Sequence, residues 1–273
     1  MNDKNPIFSE EINRTKTPPL VEFLWLSFGA IILIVIVTVV LFYSIHWAAP
    51  YIPFSIEQKL AEKVISDSSE KDSNEIDQKE IYLQQLVEQL SIAQKVPGDM
   101  PITAHWMDSD MVNAFATLGG NVFITKGLWE KMPSENALAM VVAHEIAHVK
   151  HRDPLKSLSA GLMLAFITQM IFGENSTGMS LIGGSGLITS LHFTRAMETE
   201  ADREAIETLN NHYGHVAGST DFFEIILEEE QGEQAHLEFL QTHPLTHDRI
   251  AQLRKLQLQN NWLSDKKAIK QLP

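Results

Sequence analysis

From Phe23 to Trp47 the chain runs "FLWLSFGAIILIVIVTVVLFYSIHW", 25 residues without a formal charge. As a helix rising ~1.5 Å per residue, such a run reaches roughly 37 Å, enough to cross a bilayer core with some tilt. A cleaved signal peptide would carry a shorter apolar core, roughly 7–15 residues, ahead of a small-residue cleavage site. "HWAAP" makes a poor one. Trp25 near one end, and Tyr43, Trp47 and Tyr51 near the other, suit the aromatic belts of a membrane interface. Lys4, Arg14 and Lys16 precede the span while Lys59 and Lys63 follow it, a bias that puts the N-terminus on the cytoplasmic side and the bulk of the chain outside. The expectation is a single-pass membrane protein, with a polar tail at 1–19 and lipid contact through 20–49.

Composition bounds what the remainder does. A chain of 273 residues, 44% hydrophobic, is long enough for one good-sized core plus accessory segments. Asp and Glu outnumber Lys and Arg 35 to 21, for a net charge of -14, which argues against nucleic-acid binding because phosphate contacts need clustered cations. There is no cysteine, so any metal must be held by His, Asp or Glu.

Pro50 and Pro53 end the span, and "SDSSEKDSNE" reads as a solvated loop. Between Ile76 and Ala93, Leu83, Leu86, Val87 and Leu90 recur at helical spacing, giving a scaffold helix in the linker region 50–100. A main domain is expected over 101–258, with a tail at 259–273. From Ile102 to Thr125 short runs rich in β-branched and aromatic residues, the last two split by Gly119 and Gly120, predict a small sheet with a hairpin. Ser134 is placed to cap a helix running to about His151. Two apolar stretches, Leu155 to Phe172 and Met179 to Phe193, read as buried core helices, with a transmembrane hairpin as the alternative.

The predicted helix after Ser134 contains "HEIAH". Residues four apart share a helix face, so His144 and His148 can direct imidazole nitrogens at one zinc ion. Glu145 lies beside the pair, positioned to take a proton from the attacking water. Ala137, Met140 and Val141 make the same face apolar, where imidazoles without partners would be costly. His151, one turn on, reads as a helix-end residue. In "RAMETEADREAIETL" helical geometry puts Glu198, Asp202, Ala205 and Leu209 on one face and turns Glu200, Arg203, Glu204 and Glu207 outward. Glu198 as the third zinc ligand and Asp202 as the carboxylate orienting a ligating histidine would account for both inward acids.

Together, "NAFATLGGNVFITKGL", "HEIAHVKHRD", "ETEAD" fifty residues later and "THPLTHDRI" resemble the M48 family of zinc metallopeptidases, over about Asn113 to Ile250. The resemblance implies an α+β, mainly helical, zincin-like protease domain with a small sheet before the HExxH helix. It implies one Zn2+ per chain on His144, His148 and Glu198, with Glu145 as general base. It places His243 near the metal, as an oxyanion donor or a restraint on zinc, and lets Arg195 support an acid or the transition state. The segment Gly120, Asn121, Val122, Phe123 and Ile124 would form the sheet edge along which an extended substrate lies, held by main-chain hydrogen bonds. A single span, and an end at Pro273 without a repeat region, depart from the multispanning members and favour the membrane-tethered envelope and inner-membrane quality-control type.

The function expected is therefore a membrane-anchored zinc endopeptidase acting on unfolded or damaged, envelope or membrane-associated proteins, on the periplasmic side of a bacterial inner membrane. A membrane-tethered chaperone that holds clients on the edge strand is the second reading, and the intact Glu145 argues against it. A non-peptide zinc hydrolase would need a compact polar pocket that nothing in the sequence suggests.

Overall fold

The computed structural model describes residues 18–68, 78–158, 161, 193–230, 238–244 and 247–273. It divides into two units, Met1–His46 and Trp47–Pro273. Helix α1, Pro19–Ala48, dominates the first. Its stretch Pro19–Leu41 is long and apolar enough to cross a membrane, alone in this among the described residues. Large apolar side chains along it, from Leu20 to Leu41, stand exposed, the reverse of a core helix.

In the second unit a 3-10 turn over Ala49–Tyr51 leads into α2, Phe54–Ser68. Helix α3, Gln78–Ala93, buries Leu83, Leu86, Val87 and Leu90, the four positions its spacing singled out. The sheet comprises β1, Thr103–Met107, β2, Ala114–Thr117, and β3, Asn121–Thr125. β2 and β3 pair antiparallel as the expected hairpin, joined through Leu118–Gly120. Both glycines of that turn have positive φ, 74° and 82°, and a Cβ on Gly120 would stand 2.3 Å from the Pro101 carbonyl oxygen, so the turn demands glycine.

The strand order is β1-β3-β2, which corrects the expectation of a substrate-binding edge at Gly120 to Ile124. β3 is the central strand, paired antiparallel to β2 and parallel to β1. Its main chain is already engaged on both sides and cannot accept another strand.

After α4, Lys126–Lys131, comes α5, Glu135–Lys150, capped by Ser134, whose Oγ accepts from the Ala137 N–H. Every residue from Asn136 to Val149 is buried, so α5 runs through the core instead of lying on it. Helix α6, Arg195–Tyr213, is capped by Thr194 and ends at Gly214 in the left-handed conformation. Helices α7, Asp221–Glu230, α8, Glu238–Thr242, and α9, His247–Gln259, complete the unit. One apolar core joins α3, the sheet, α5, α6, α7 and α9, and Leu272 near the C-terminus packs against it. The apolar stretches Leu155 to Phe172 and Met179 to Phe193 fall outside the described residues, except for 155–158, 161 and 193.

Candidate metal centre

His144 and His148 sit one turn apart on α5, Glu198 in the first turn of α6, and His243 directly after α8. All four are buried. One ligand atom from each lies within 4.8 Å of all the others. The separations are His144 Nε2 to His148 Nε2 3.0 Å, His144 Nε2 to Glu198 Oε2 3.5 Å, and His148 Nε2 to Glu198 Oε1 3.3 Å. His243 Nδ1 stands 3.3 Å from His144 Nε2 and 3.1 Å from Glu198 Oε1. Ligands bound ~2.0–2.1 Å from a tetrahedral ion stand about 3.4 Å apart, and these five separations, taken to one or the other Glu198 oxygen, lie close to that length. The chemistry fits as well, with imidazole nitrogens and a carboxylate and no need of cysteine.

Carboxylates stand behind both α5 histidines. Asp153 Oδ2 lies 2.9 Å from His148 Nδ1 in a hydrogen bond. Asp202 Oδ1 lies 3.0 Å from His144 Nδ1, an ion-pair contact without hydrogen-bond alignment. Such partners fix the tautomer and aim Nε2 at the metal position. Behind the acids comes Arg249, its Nε and Nη2 donating to the two Asp202 oxygens at 2.7 and 2.8 Å, with Nη1 2.7 Å from Glu198 Oε2.

The titration behaviour follows from these contacts. Burial opposes a charge on His144, but its contacts with Asp202 and Glu198 outweigh burial and raise it to about 10. His148 is raised too, its hydrogen bonds to Asp153 and Glu198 overcoming burial. Burial would raise Glu198 and Asp202. The surrounding histidines hold Glu198 well below the ordinary carboxylate range, and the Arg249 guanidinium does most to lower Asp202.

Glu145 is fully buried, and neither carboxylate oxygen has a hydrogen-bond partner among the described residues. Its Oε1 is 3.3 Å from His243 Nε2, close but not aligned for a hydrogen bond. Keeping a buried carboxylate without hydrogen bonds is costly, which marks Glu145 as a functional group and not a structural one. Phe193 stacks on the His148 ring at 4.0 Å, and Phe239 stacks on His243 at 5.2 Å, walling the centre with apolar surface.

Residues 77–257, more than half the chain, match Peptidase family M48. The chain belongs to peptidase family M48. A putative beta-barrel assembly-enhancing protease of Vibrio cholerae is 32% identical over 187 residues, covering 64% of this chain and 38% of that protein. A protease HtpX homolog of Salinibacter ruber is 28% identical over 208 residues, covering 64% of this chain and 74% of its own. Mitochondrial metalloendopeptidase OMA1 of Schizosaccharomyces pombe is 24% identical over 211 residues, 75% of this chain and 62% of its own. The chain spans about a third of the length of the beta-barrel assembly-enhancing proteases it matches.

The structure brings His144, His148, Glu198, Glu145, His243 and Asp202 together and leaves Arg195 out. Arg195 is exposed on the first turn of α6, and the arginine behind the acids is Arg249, 47 positions beyond Asp202. Asp153 was also missed, although "HRD" holds it five residues from His148. Glu204 does not turn outward as expected. It is buried against the end of α5, bonded to Lys150 and 2.7 Å from His151 Nε2, which makes His151 a helix-end residue. Asn121 to Ile124 lie in the central strand of the sheet and not at its edge, and Gly120 lies in the turn before it.

Proposed function

We propose that the protein is a membrane-anchored zinc endopeptidase that hydrolyses peptide bonds in unfolded or damaged proteins. The observation that carries this reading is a zinc-sized donor set on His144, His148, Glu198 and His243 beside a Glu145 carboxylate that has no hydrogen-bond partner among the described residues. Zinc, when held by His144, His148 and Glu198, would supply the Lewis acidity that polarises the scissile carbonyl. Glu145 takes a proton from the attacking water and returns it to the leaving amine. Asp202 and Asp153 hold the rings of His144 and His148 in register, and Arg249 keeps Asp202 ionised while the histidines do so for Glu198. His243 lies between Glu198 and Glu145, where its imidazole could complete the donor set of a bound zinc or, in the reaction, donate to the developing oxyanion.

The peptide would lie on β2. The outer edge of β1 is closed by α3, because the Ala104 N–H donates to Gln84 Oε1 and the Trp106 N–H to Glu80 Oε2. The Thr125 N–H donates to the Asn113 carbonyl, so Phe115 and Thr117, in phase with Asn113, face β3 while Ala114 and Ala116 turn their main-chain groups away from it. Ala114 and Ala116 are buried, so an extended chain would pair with those groups only by displacing what covers them; main-chain pairing makes little demand on side chains, as suits unfolded substrates. The exposed apolar α1 supports the membrane anchor, and the charge bias around it supports a catalytic unit on the non-cytoplasmic side, in keeping with bacterial relatives named for β-barrel assembly.

The test is degradation of an unfolded model protein and its folded form by the full chain in detergent. Cleavage confined to the unfolded form, stopped by a chelator and restored by zinc, is the expected result. Zinc-loaded protein that binds the client without cutting it would move the assignment to a chaperone.

A further inference from the structure

The turn after α5 is held by a segment that the chemistry above does not use. Arg152 has φ 61°, a left-handed conformation rare for a residue with a Cβ. This bend ends the helix and sets the next residue, Asp153, against His148 Nδ1. The Arg152 side chain is buried and reaches back to the residues just after α1. Its Nε donates to Glu57 Oε1 at 2.5 Å and its Nη2 to the Ile52 carbonyl at 2.9 Å, while the guanidinium lies 5.2 Å from the Phe54 ring. Glu57, only 2% exposed, also accepts from the Gly119 N–H at 3.5 Å. A Cβ on Gly119 would come within 2.9 Å of Gln58 Cα and Ala61 Cβ, so α2 lies directly on the turn between β2 and β3. One helix thus grips both the end of the metal-binding helix and the turn of the substrate sheet. A buried ion pair is a poor way to gain stability, since apolar packing of similar volume does as well, whereas it fixes geometry sharply.

We propose that Glu57 and Arg152 are positioning residues, through which α2 fixes the bend at Arg152, sets Asp153 against His148, and so orients a metal ligand from the segment that follows the membrane helix. This rests on the reading of His148 as a zinc ligand. The metal centre is then built only when α2 is docked, and its geometry depends on the chain adjoining the anchor.

The experiment titrates cobalt into metal-free full chain in detergent, for wild type, Glu57→Gln, Arg152→Lys, Asp153→Asn and a core control, Leu86→Ala. Dissociation constant, visible cobalt bands and the thermal midpoint of the metal-free protein are read on each. Loss of a partner behind a ligating histidine weakens metal binding 10–100-fold in general. Glu57→Gln and Arg152→Lys are expected to weaken cobalt about tenfold and to move its bands in the direction Asp153→Asn does, while Leu86→Ala lowers the midpoint and leaves affinity and bands alone. Glu57→Gln combined with Asp153→Asn should cost less than the product of the two, because both act through His148. If one variant does not fold, the other carries the comparison. Wild-type affinity and bands in both folded variants, with only the midpoint lowered, would overturn the proposal. A wild type that takes up no cobalt would overturn the metal assignment together with it, so the two failures are distinguishable.

Discussion

Replacing Arg249 with methionine would keep much of the side-chain volume and remove the one guanidinium that faces both Asp202 and Glu198. Arg249 is 6% exposed, and the carboxylates it holds are 4% and 2% exposed, so the loss leaves two buried anions whose remaining ion-pair partners among the described residues are histidines. Removing one partner of a buried, hydrogen-bonded pair costs about 3–5 kcal/mol, chiefly because the charge left behind is uncompensated. At roughly 2–4 °C per kcal/mol for a domain of this size, the thermal midpoint of the metal-free protein should fall by roughly 6–20 °C at pH 7. Zinc places positive charge beside Glu198 and should shrink the loss. The pH dependence has a definite sign. Asp202 and Glu198 are held below their ordinary values in the fold, so they contribute stability above roughly pH 4 that is lost as pH falls through the depressed values. Arg249→Met removes the largest favourable partner of Asp202, so its gap from wild type should hold from pH 7 down to roughly pH 4 and narrow only below it. Circular dichroism melts of the full chain in detergent, with and without zinc at pH 7 and metal-free at lower pH, measure this. A cost under about 1 kcal/mol at pH 7, or a gap that stays constant well below pH 4, would refute the reasoning, since buried pairs cost several times that.

Asp153→Asn should keep the fold and weaken zinc 10–100-fold, read by competition with a chelating dye, because it loses the charge behind His148 Nδ1. Zinc uptake at pH 8 should release at least one proton per ion, because His144 in the metal-free protein holds its proton up to about 10; calorimetry in buffers of different ionisation enthalpy measures this, and zero release would contradict it. By the same linkage, His144 stabilises the metal-free fold below pH 6.5, and that contribution is lost as pH rises towards about 10, visible as a falling midpoint on the alkaline side. N-methylating alternate amides of a model peptide in one phase should raise KM with kcat preserved, and in the other phase should do little, if the substrate pairs with β2 as an added strand; equal effects in both phases would rule strand addition out.

Local pattern carried most of what was legible in the sequence. The four buried positions of α3, the Ser134 cap and the inward pair Glu198 and Asp202 follow from helix spacing and capping chemistry, which act within one turn. What was missed depends on contacts between distant elements or on a bend. β3 becomes central because β1 pairs with it in parallel from the far side, which no hairpin signal within 114–125 encodes. Arg249 reaches the acids of α6 from α9, while Arg195 sits nearer in sequence and points to solvent. Asp153 meets His148 because the chain bends at Arg152 into a conformation that helix periodicity does not foresee. Glu204 looks outward on the helical wheel of α6 alone, and it is buried by Lys150 and His151 of α5.

The central claim is that His144, His148 and Glu198 hold zinc while Glu145 moves the proton. Its most direct measurement is the rate at which full chain cuts a quenched unfolded peptide, wild type against Glu145→Gln, with zinc content determined on the same samples. General base catalysis is worth about 10²–10⁴ in rate. One zinc per chain in both proteins, with cleavage reduced by at least ~100-fold in the variant, is the result predicted. Cleavage by Glu145→Gln at the wild-type rate with zinc in place, or wild type that cuts equally well without zinc, would contradict it.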